Sequence, residues 1–387
     1  MHPLDVDYVR SQFPALKSGS QVALNVADRI YEYLLNTNVQ FGADYSVSVE
    51  STRRVMEEAP EAAKKLFNAN HPDEIAFGAS STMHLENLAR GMDNAIQEGD
   101  EFILTGEHEA NVGPWKKLAA RRGAVNLLSL IGPKTRILAF AACSNILGTV
   151  LPVKDIVKAA RKTAKERGSK KLEICVDCVA YAPHRRIDVN DWDVDFCALS
   201  FYKVYGPHIS ALYIRSSSLR ESVSSILHHF LDYHHKSYKL QPGGPGYELV
   251  YGTTAVLPYL LSLTPENDLN ASFNAITDHE QKLIQPLLAF LTAPEQIDRG
   301  VRVVGEESSG VSRVPTISFV VVGRNAMRSR EIVQTGIRYG HFYAFHIIDR
   351  LDPKVDVDDG VVRISLVHYN TVQEVERIIA ILKEALA

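Results

Sequence analysis

Cysteine is scarce in this chain, with four residues in 387. Four cysteines in a chain of this length do not form a disulfide framework, so we expect a reducing compartment and a cytoplasmic protein. The chain also has no large excess of charge of either sign, since the formal net charge is −4 and the pI is near 6.4. This balance gives no electrostatic basis for binding nucleic acid or an anionic membrane.

Long hydrophobic runs are absent as well. No apolar stretch approaches the length of a membrane span, and residues 1–7 lack the basic and apolar segments of a signal peptide. The motif GxxxxGK[ST] occurs nowhere, which excludes a P-loop nucleotide site, and the chain has no internal repeat or low-complexity tract.

The length of 387 residues exceeds what one hydrophobic core normally holds, so we expect two domains. Between residues 74 and 214, apolar runs alternate with helical patterns, which predicts an α/β fold with a largely parallel sheet, covered by helices on both faces. After residue 265 the pattern changes to that of a smaller α+β domain. The predicted strands are 74–77, 101–105, 136–142, 172–177, 196–200 and 211–214, then 301–304, 316–322 and 361–367.

Lys203 directly follows the apolar strand that ends at Ser200. Burying a lysine there is costly, because desolvation disfavours the ammonium form. The cost has a use if the lysine acts as a neutral amine that forms a Schiff base, and the alternative is a solvated lysine at a strand end.

A second set of candidates lies in the turn after the first strand, where Ser80, Ser81 and Thr82 open a helix. Free backbone N–H groups, the positive end of the helix dipole and hydroxyl groups together suit a phosphate. The alternative is an ordinary helix cap provided by Ser81 or Thr82.

Three more polar residues follow predicted strands. Asp177 ends an apolar strand and needs a partner, for which a pyridinium N–H is suitable. His108 either stacks on a planar cofactor or is a loop histidine, and Asn145 either donates to a ring oxygen or caps its loop. Cys175 and Cys178 form a CxxC without a second pair, so we interpret them as core residues and predict no metal site.

Because ligands bind at the carboxyl ends of parallel strands, these residues are expected to lie together. A phosphate cup, an aromatic stacker, a buried carboxylate and a strand-end lysine are what pyridoxal 5'-phosphate requires. Arg363, inside an apolar strand of the second block, favours a bidentate partner such as a substrate α-carboxylate. The alternative for Arg363 is a salt bridge with the acidic residues at 356–359.

The motifs around these residues resemble those of class V aminotransferases of fold type I, especially cysteine desulfurases and isopenicillin N epimerase-like proteins. The similar segments are EHEANVGPW (107–115), SNILGT (144–149), Asp177, SFYKVYGP (200–207) and RISLVHYNT (363–371). The resemblance covers nearly the whole chain. It implies a mostly parallel, seven-stranded type of sheet flanked by helices, with a smaller C-terminal α+β domain. We expect an N-terminal segment packing with the small domain (1–20), a large domain (21–262) and a small domain (263–387).

The resemblance also implies roles. Lys203, His108 and Asp177 are the expected catalytic residues, and Asn145, Tyr343 and Arg363 are expected to contact substrate. The residues expected to bind the cofactor are Ser80, Ser81, Thr82, His108, Asn145, Asp177, Ser200, Tyr202, Lys203 and Gly244. The implied partners are an amino-acid substrate and a second copy of the chain, in a homodimer with active sites near the interface.

The sequence departs from the family pattern at several positions. Tyr343 takes the place of the cysteine that forms a persulfide in desulfurases, and a phenol cannot accept sulfur as a thiolate does. Ala180 replaces a glutamine, Tyr202 replaces the histidine before the lysine, and Gly244 replaces a threonine contributed by the neighbouring subunit.

These departures lead to one expected function and two alternatives. We expect desulfurase-like C–S lyase chemistry on an amino acid without the usual cysteine. One alternative is an epimerase or aminotransferase of the same fold, and the other is an α/β binding protein that has lost the cofactor. The chain is also shorter than the family pattern at Gly19–Ser20, Val125–Asn126 and Thr335–Gly336, where we hypothesise that loop segments are absent from the sequence.

Overall fold

The computed structural model describes residues 2–17, 24–122, 125–126, 131–231, 236–323, 327–332 and 337–387. The strands are β1 (Ile75–Gly78), β2 (Glu101–Leu104), β3 (Val125–Asn126), β4 (Thr135–Ala141), β5 (Glu173–Asp177), β6 (Phe196–Ser200), β7 (Ser210–Ile214), β8 (Val301–Val304), β9 (Thr316–Val321), β10 (Arg338–Gly340) and β11 (Val361–Ser365). The helices are α1 (Val6–Ser11), α2 (Leu24–Asn36), α3 (Ser46–Arg53), α4 (Ala59–Phe67), α5 (Ser81–Gly91), α6 (Gly113–Arg122), α7 (Val153–Glu166), α8 (Val189–Trp192), α9 (Ser216–Glu221), α10 (Tyr247–Gly252), α11 (Val256–Leu261), α12 (Leu269–Leu291), α13 (Pro294–Asp298), α14 (Ser329–Ile332), α15 (Phe345–Ile348) and α16 (Val372–Ala385).

The first seven strands form one sheet in the order β1-β7-β6-β5-β4-β2-β3. Only β7 runs antiparallel to its neighbours, and the other pairs are parallel, which confirms the predicted mostly parallel α/β sheet. The central strands are buried on both faces because helices cover each side. On β5, for example, Ile174 and Val176 belong to one hydrophobic core and Cys175 to the other.

The last four strands form a separate antiparallel sheet in the order β10-β11-β9-β8. One face of this sheet packs against α12 and α16 through residues such as Leu283, Val375 and Leu382. On the other side, a smaller cluster includes Val361 of β11 and Ile146, which comes from the loop after β4 of the large sheet. That loop therefore contacts both sheets, and it also carries Asn145.

The N-terminal segment contacts residues from both parts of the chain. Asp5 caps α1 by accepting a hydrogen bond of 2.9 Å from the Tyr8 N–H. Arg10 donates to the Tyr369 carbonyl at 2.8 Å and to a Glu374 carboxylate oxygen at 2.9 Å. The predicted domain boundaries stay a prediction.

Most of the positions at which loop segments were hypothesised to be absent lie outside the described residues. Gly19–Ser20 and Thr335–Gly336 lie outside the described residues, and Val125–Asn126 is a short described strand with undescribed residues on both sides. In the described part of the chain, none of the helices combines the length and apolar character needed to cross a bilayer.

Candidate active site

The register of the large sheet brings the ends of three strands into one row. Gly78 at the end of β1 pairs with Ser210 at the start of β7, and Ser210 pairs with Ser200 at the end of β6. On the same sheet Asp177, the last residue of β5, pairs with Ala198. Because β1, β5 and β6 run in the same direction, the segments that follow them emerge at one edge. This shared edge is the candidate active site.

Lys203 lies in a short 3₁₀ turn, Phe201–Lys203, immediately after β6. Burial lowers the pKa of its ammonium group, the charge of Arg363 lowers it further, and Asp177 opposes the shift. Proton loss from Lys203 is therefore easier than from an exposed lysine, in the direction that the interpretation of Lys203 as a Schiff-base amine requires.

Asp177 is only 5% exposed at the end of β5. Its carboxylate accepts one hydrogen bond, of 2.9 Å, from the Val179 N–H. Burial raises the pKa of this carboxyl, and the opposing influences come from His108, the Val179 N–H and Lys203. Asp177 is thus a buried carboxylate in electrostatic contact with both His108 and Lys203, and it forms no ion pair among the described residues.

His108 precedes a short 3₁₀ turn, and its Nδ1 accepts a hydrogen bond of 3.2 Å from the Ala110 N–H. Burial is the main cause that lowers the pKa of the imidazole. An Nδ1 that accepts leaves the proton of the neutral ring on Nε2. The ring is therefore fixed as a neutral, planar group beside Asp177.

The hydroxyl residues after β1 differ in position, since one caps α5 and the others lie in its first turn. Ser80, and not Ser81 or Thr82, is the cap of α5, because its hydroxyl accepts a hydrogen bond of 3.2 Å from the Met83 N–H. The alternative assignment of the cap was therefore wrong, and Ser81 and Thr82 occupy the first helical turn. A cap at Ser80 leaves the other N–H groups of the first turn directed out of the helix, where an anion is stabilised.

Ser200 is almost fully buried, and its hydroxyl lies 2.9 Å from that of Ser210. Behind this pair, His84 contacts the Ser210 carbonyl at 3.1 Å through Nε2, and a Cβ at Gly78 would lie 2.9 Å from the His84 ring. Ser200 therefore has a partner within the fold, and Gly78 is needed for the close approach of the histidine.

Tyr202 and Gly244 lie in more open surroundings. The Tyr202 ring, 38% exposed, stacks on His208 with centroids 5.1 Å apart and planes 6° apart. Its centroid is 6.0 Å from Lys203 Nζ. Gly244 is exposed in a loop, where a Cβ would lie 2.9 Å from the Tyr247 hydroxyl.

The loop after β4 joins Asn145 to the smaller sheet. The Asn145 side-chain amide donates to the Phe342 carbonyl at 2.9 Å, and the Asn145 main-chain carbonyl accepts from Arg363 Nη1 at 3.0 Å. Asn145 Oδ1 and Arg363 Nε are both buried without a partner among the described residues. Arg363 makes no ion pair there, so the predicted alternative of a salt bridge with residues 356–359 is not observed.

Tyr343 lies in the loop between β10 and α15, opposite His108. The two ring centroids are 5.5 Å apart, and the tyrosine side chain is 69% exposed. Phe342 and Tyr343 both have positive φ, at +49° and +61°, which is strained for residues with a Cβ. The Tyr343 carbonyl accepts a hydrogen bond of 2.8 Å from the Glu109 N–H, which holds the loop against the segment that follows β2.

Glu107 has no predicted role in the sequence, yet it is among the more unusual groups at this edge. Burial raises the pKa of its carboxyl, the Ser144 hydroxyl opposes the shift, and Asp177 raises the pKa further. One carboxyl oxygen, Oε2, is buried without a partner. Its position directly before His108, in the loop that follows β2, was the available signal.

The edge thus unites Lys203, Asp177, His108, Asn145, Arg363 and Tyr343, which several parts of the sequence contribute. Within the described residues there is no cluster of histidine, cysteine and acidic side chains able to hold a metal ion. Chemically, the edge offers a lysine amine of lowered pKa, a buried carboxylate, a planar ring and a guanidinium group.

Comparison with known proteins places this arrangement in context. Residues 16–378 match the family described as Aminotransferase class-V. The chain is 41% identical to the aminotransferase-like protein FGM3 of Gibberella zeae, over 98% of each sequence. It is 29% identical to the cysteine desulfurase-like protein ustD of Aspergillus flavus, over 96% of this chain and 88% of that protein.

The fold is also found among solved structures. The apo structure of a cysteine desulfurase from Thermococcus onnurineus NA1 superposes with a TM-score of 0.83 at 20% identity, over 100% of this chain and 99% of the other. This likeness confirms the predicted fold type I architecture. The alignment with FGM3 extends over 417 positions, more than the 387 residues of this chain, so the chain has gaps relative to that protein.

Proposed function

The chain belongs to the aminotransferase class-V family of pyridoxal-phosphate enzymes, and from this premise we propose that it acts on an amino acid by C–S lyase-type chemistry without a cysteine nucleophile. The family and the cofactor were both predicted from the sequence. The proposal beyond them concerns the reaction and the roles of individual residues.

The donor set at the sheet edge fits pyridoxal 5'-phosphate. Asp177 is a buried carboxylate that lacks an ion-pair partner in the described chain, so a protonated pyridine nitrogen would supply the cation that it needs. The first turn of α5, with Ser81 and Thr82, would bind the phosphate, with support from Ser200 and Tyr202. His108 would stack on the ring. When bound, the cofactor withdraws electrons from the Cα of an attached amino acid.

The residues of the chain would then have separate tasks. Lys203 would attach the cofactor through its neutral amine and, once released, would take the proton from the substrate Cα. Arg363 would bind the α-carboxylate. Asn145, between the cofactor side and Arg363, would orient the substrate. Tyr343, facing His108, would contact the substrate from the side of the smaller sheet.

The proposal that no thiol takes part in the reaction rests on the burial of the cysteines. The four cysteines are Cys143, Cys175, Cys178 and Cys197, and all are free and buried in the region of the large sheet. Burial raises the pKa of Cys143 to about 12, so its thiolate is not populated at neutral pH. The loop position that corresponds to the desulfurase cysteine is Tyr343, which has no sulfur chemistry.

The proposal is tested by adding a panel of amino acids to the cofactor-loaded protein and following absorbance, with products separated into sulfide, keto acid and inverted amino acid. We expect sulfide release from a substrate with a Cβ–S bond. Formation of protein-bound persulfide would contradict the absence of a thiol nucleophile. Formation of keto acid with amino transfer, or of inverted amino acid, would assign the reaction to an aminotransferase or an epimerase instead.

We also propose that the enzyme is a homodimer with its active sites near the interface. Support comes from α2, on which Tyr31, Leu34 and Leu35 are 66%, 46% and 64% exposed. Apolar side chains gathered on one helix surface are typical of a protein interface. A Leu35→Lys variant is expected to shift the mass measured by light scattering from that of a dimer toward that of a monomer. A wild-type mass equal to one chain would contradict this proposal.

A further inference from the structure

The ring of Phe342 stacks on the guanidinium group of Arg363. The guanidinium carbon of Arg363 lies 3.7 Å from the centroid of the Phe342 ring. At this separation the planar cation is held against the face of the ring, where the attraction is strongest. No role for Phe342 was predicted from the sequence.

The position of Phe342 is itself fixed by Asn145. The Phe342 carbonyl accepts a hydrogen bond of 2.9 Å from the Asn145 amide, and the Asn145 carbonyl accepts one of 3.0 Å from Arg363 Nη1. Together with the ring contact, these bonds close a triangle of three residues. The triangle explains why Phe342 keeps a φ of +49°, since the strained backbone directs both its carbonyl and its ring to their partners.

One edge of the Arg363 guanidinium group takes no part in the contacts of this triangle. Nη1 is engaged by Asn145, whereas Nε is buried and has no partner among the described residues. The edge formed by Nε and Nη2 is the geometry that a carboxylate binds with two parallel hydrogen bonds. A ring stacked on the guanidinium plane fixes the direction in which this edge points.

We propose that Phe342 is a positioning residue that holds the Arg363 plane so that its Nε–Nη2 edge receives the α-carboxylate of the substrate. The inference rests on the proposed function, because it assumes an amino acid at this site. Phe342 does not touch the reacting atoms, and its effect is confined to the carboxylate. Ligands with a carboxylate therefore depend on the ring, and amines without one do not.

The test compares glycine with methylamine, which differ only by the carboxylate, as ligands of the cofactor-loaded protein. Their dissociation constants are measured from the cofactor absorbance and, independently, by calorimetry. In Phe342→Leu we expect glycine to bind about tenfold more weakly, equivalent to about 1.4 kcal/mol, and methylamine to change less than about twofold. Phe345→Leu is the matched control, since Phe345 lies three residues away and is 47% exposed, and it is expected to alter neither constant.

Two further variants make the test independent of the folding of Phe342→Leu. Phe342→Tyr keeps the ring and is expected to retain glycine affinity within about twofold. In an Arg363→Lys background, Phe342→Leu is expected to add less than a twofold loss, because an ammonium group has no plane to orient. A tenfold loss in Phe342→Tyr would overturn the inference.

The outcomes separate this inference from the proposed function. Equal losses for glycine and methylamine in Phe342→Leu, or no loss for either, would overturn the positioning role while the enzyme assignment stands. A wild-type protein that takes up no cofactor, or shows no response to either ligand, would overturn both.

Discussion

Two clusters of buried charged residues in this protein differ in whether their charged groups have ion-pair partners within the fold. The first, the Glu280 cluster, consists of His184, Arg185 and Glu280. Glu280 is fully buried on α12, and its two oxygens contact His184 Nδ1 at 2.5 Å and Arg185 Nη1 at 2.9 Å. Each charge in this cluster is matched inside the fold.

The second, an edge cluster, consists of Lys203, Asp177 and Arg363. None of these three forms an ion pair among the described residues, and burial is the first cause that shifts the pKa of each toward its neutral form, to about 10 for Arg363. Desolvation is therefore not compensated by an ion pair in the edge cluster, whereas it is compensated in the Glu280 cluster. The difference indicates that the Glu280 cluster stabilises the fold and that the edge cluster is suited to bind a ligand.

The largest effect is expected for Lys203→Ala in the edge cluster. The variant loses the attachment point and the base, so turnover should fall by about 1,000-fold or more. The visible absorbance of the lysine-bound cofactor should vanish. Because the buried ammonium is unfavourable, the cofactor-free chain should be at least as stable as wild type in denaturant titrations.

Lys162→Ala is the control for this comparison, since the Lys162 side chain is 76% exposed. It should leave absorbance, turnover and stability unchanged. A Lys203→Ala protein that keeps its colour after dialysis, or that is strongly destabilised without cofactor, would show that Lys203 belongs with the structural charges.

Glu280→Ala should produce the opposite result. Removing this carboxylate leaves buried Arg185 and His184 unpaired, so the free energy of unfolding should fall by about 3–5 kcal/mol. Urea unfolding of the cofactor-free protein measures the loss. Exposed Glu295→Ala on α13 is the control and should cost less than about 0.5 kcal/mol.

For the folded Glu280→Ala protein, the cofactor absorbance band should lie where it does in wild type. A shift in the position of this band, with stability preserved, would mean that the two clusters are one functional unit.

A buried histidine that has a hydrogen-bond partner should affect the free energy of unfolding only when the pH is lowered. Burial lowers the pKa of His84 to about 4 from 6.5, and its one hydrogen bond is with the Ser210 carbonyl. The unfolded state therefore binds the proton first as pH falls, so stability is lost from about pH 6.5 to about pH 4, by at most about 1.4 kcal/mol per pH unit for this residue.

The His84→Gln variant keeps a donor for Ser210 and removes the titration. Its unfolding free energy should change less steeply between pH 6.5 and pH 4 than that of wild type. Equal slopes in the two proteins would contradict the assignment of this acid sensitivity to His84.

The sequence predicted the edge of the large sheet well because each strand there is an apolar run that stops at a polar residue. The bounds of β6 were predicted without error, and those of β1 and β5 were within one residue. Parallel strands bring such endpoints together by topology alone, so Lys203 and Asp177 could be placed without knowing any distance.

Other features of the structure were missed or left open. No helix was predicted for α2, whose Tyr31 and Leu35 face away from the core. The positive φ of Phe342 is stabilised by the Asn145 amide, nearly two hundred residues earlier in the chain. Ser80, Ser81 and Thr82 are equally suitable caps by composition, and only the start of the helix distinguishes them.

The smallest effect is expected for Tyr343→Phe. This variant tests whether the site uses the aromatic ring of Tyr343 or its hydroxyl group. The tyrosine ring is tilted by 42° against the His108 ring, whereas the side chain as a whole is 69% exposed. Phenylalanine keeps the ring, and the main-chain bond from Glu109 does not depend on the side chain. We therefore expect the KM for the amino-acid substrate to change by less than about threefold, and that of Tyr343→Ala to rise by about tenfold because the aromatic contact is lost.

Steady-state kinetics with the best substrate of the amino-acid panel measure both variants, and kcat should change little in either. A large fall in kcat for Tyr343→Phe would assign a proton-transfer role to the phenol and make the loop part of the catalytic machinery. Unchanged KM in Tyr343→Ala would remove Tyr343 from the substrate site. In the expected case the edge cluster supplies the chemistry and the loop at Tyr343 supplies only a surface, so the two sheets contribute to the active site in different ways.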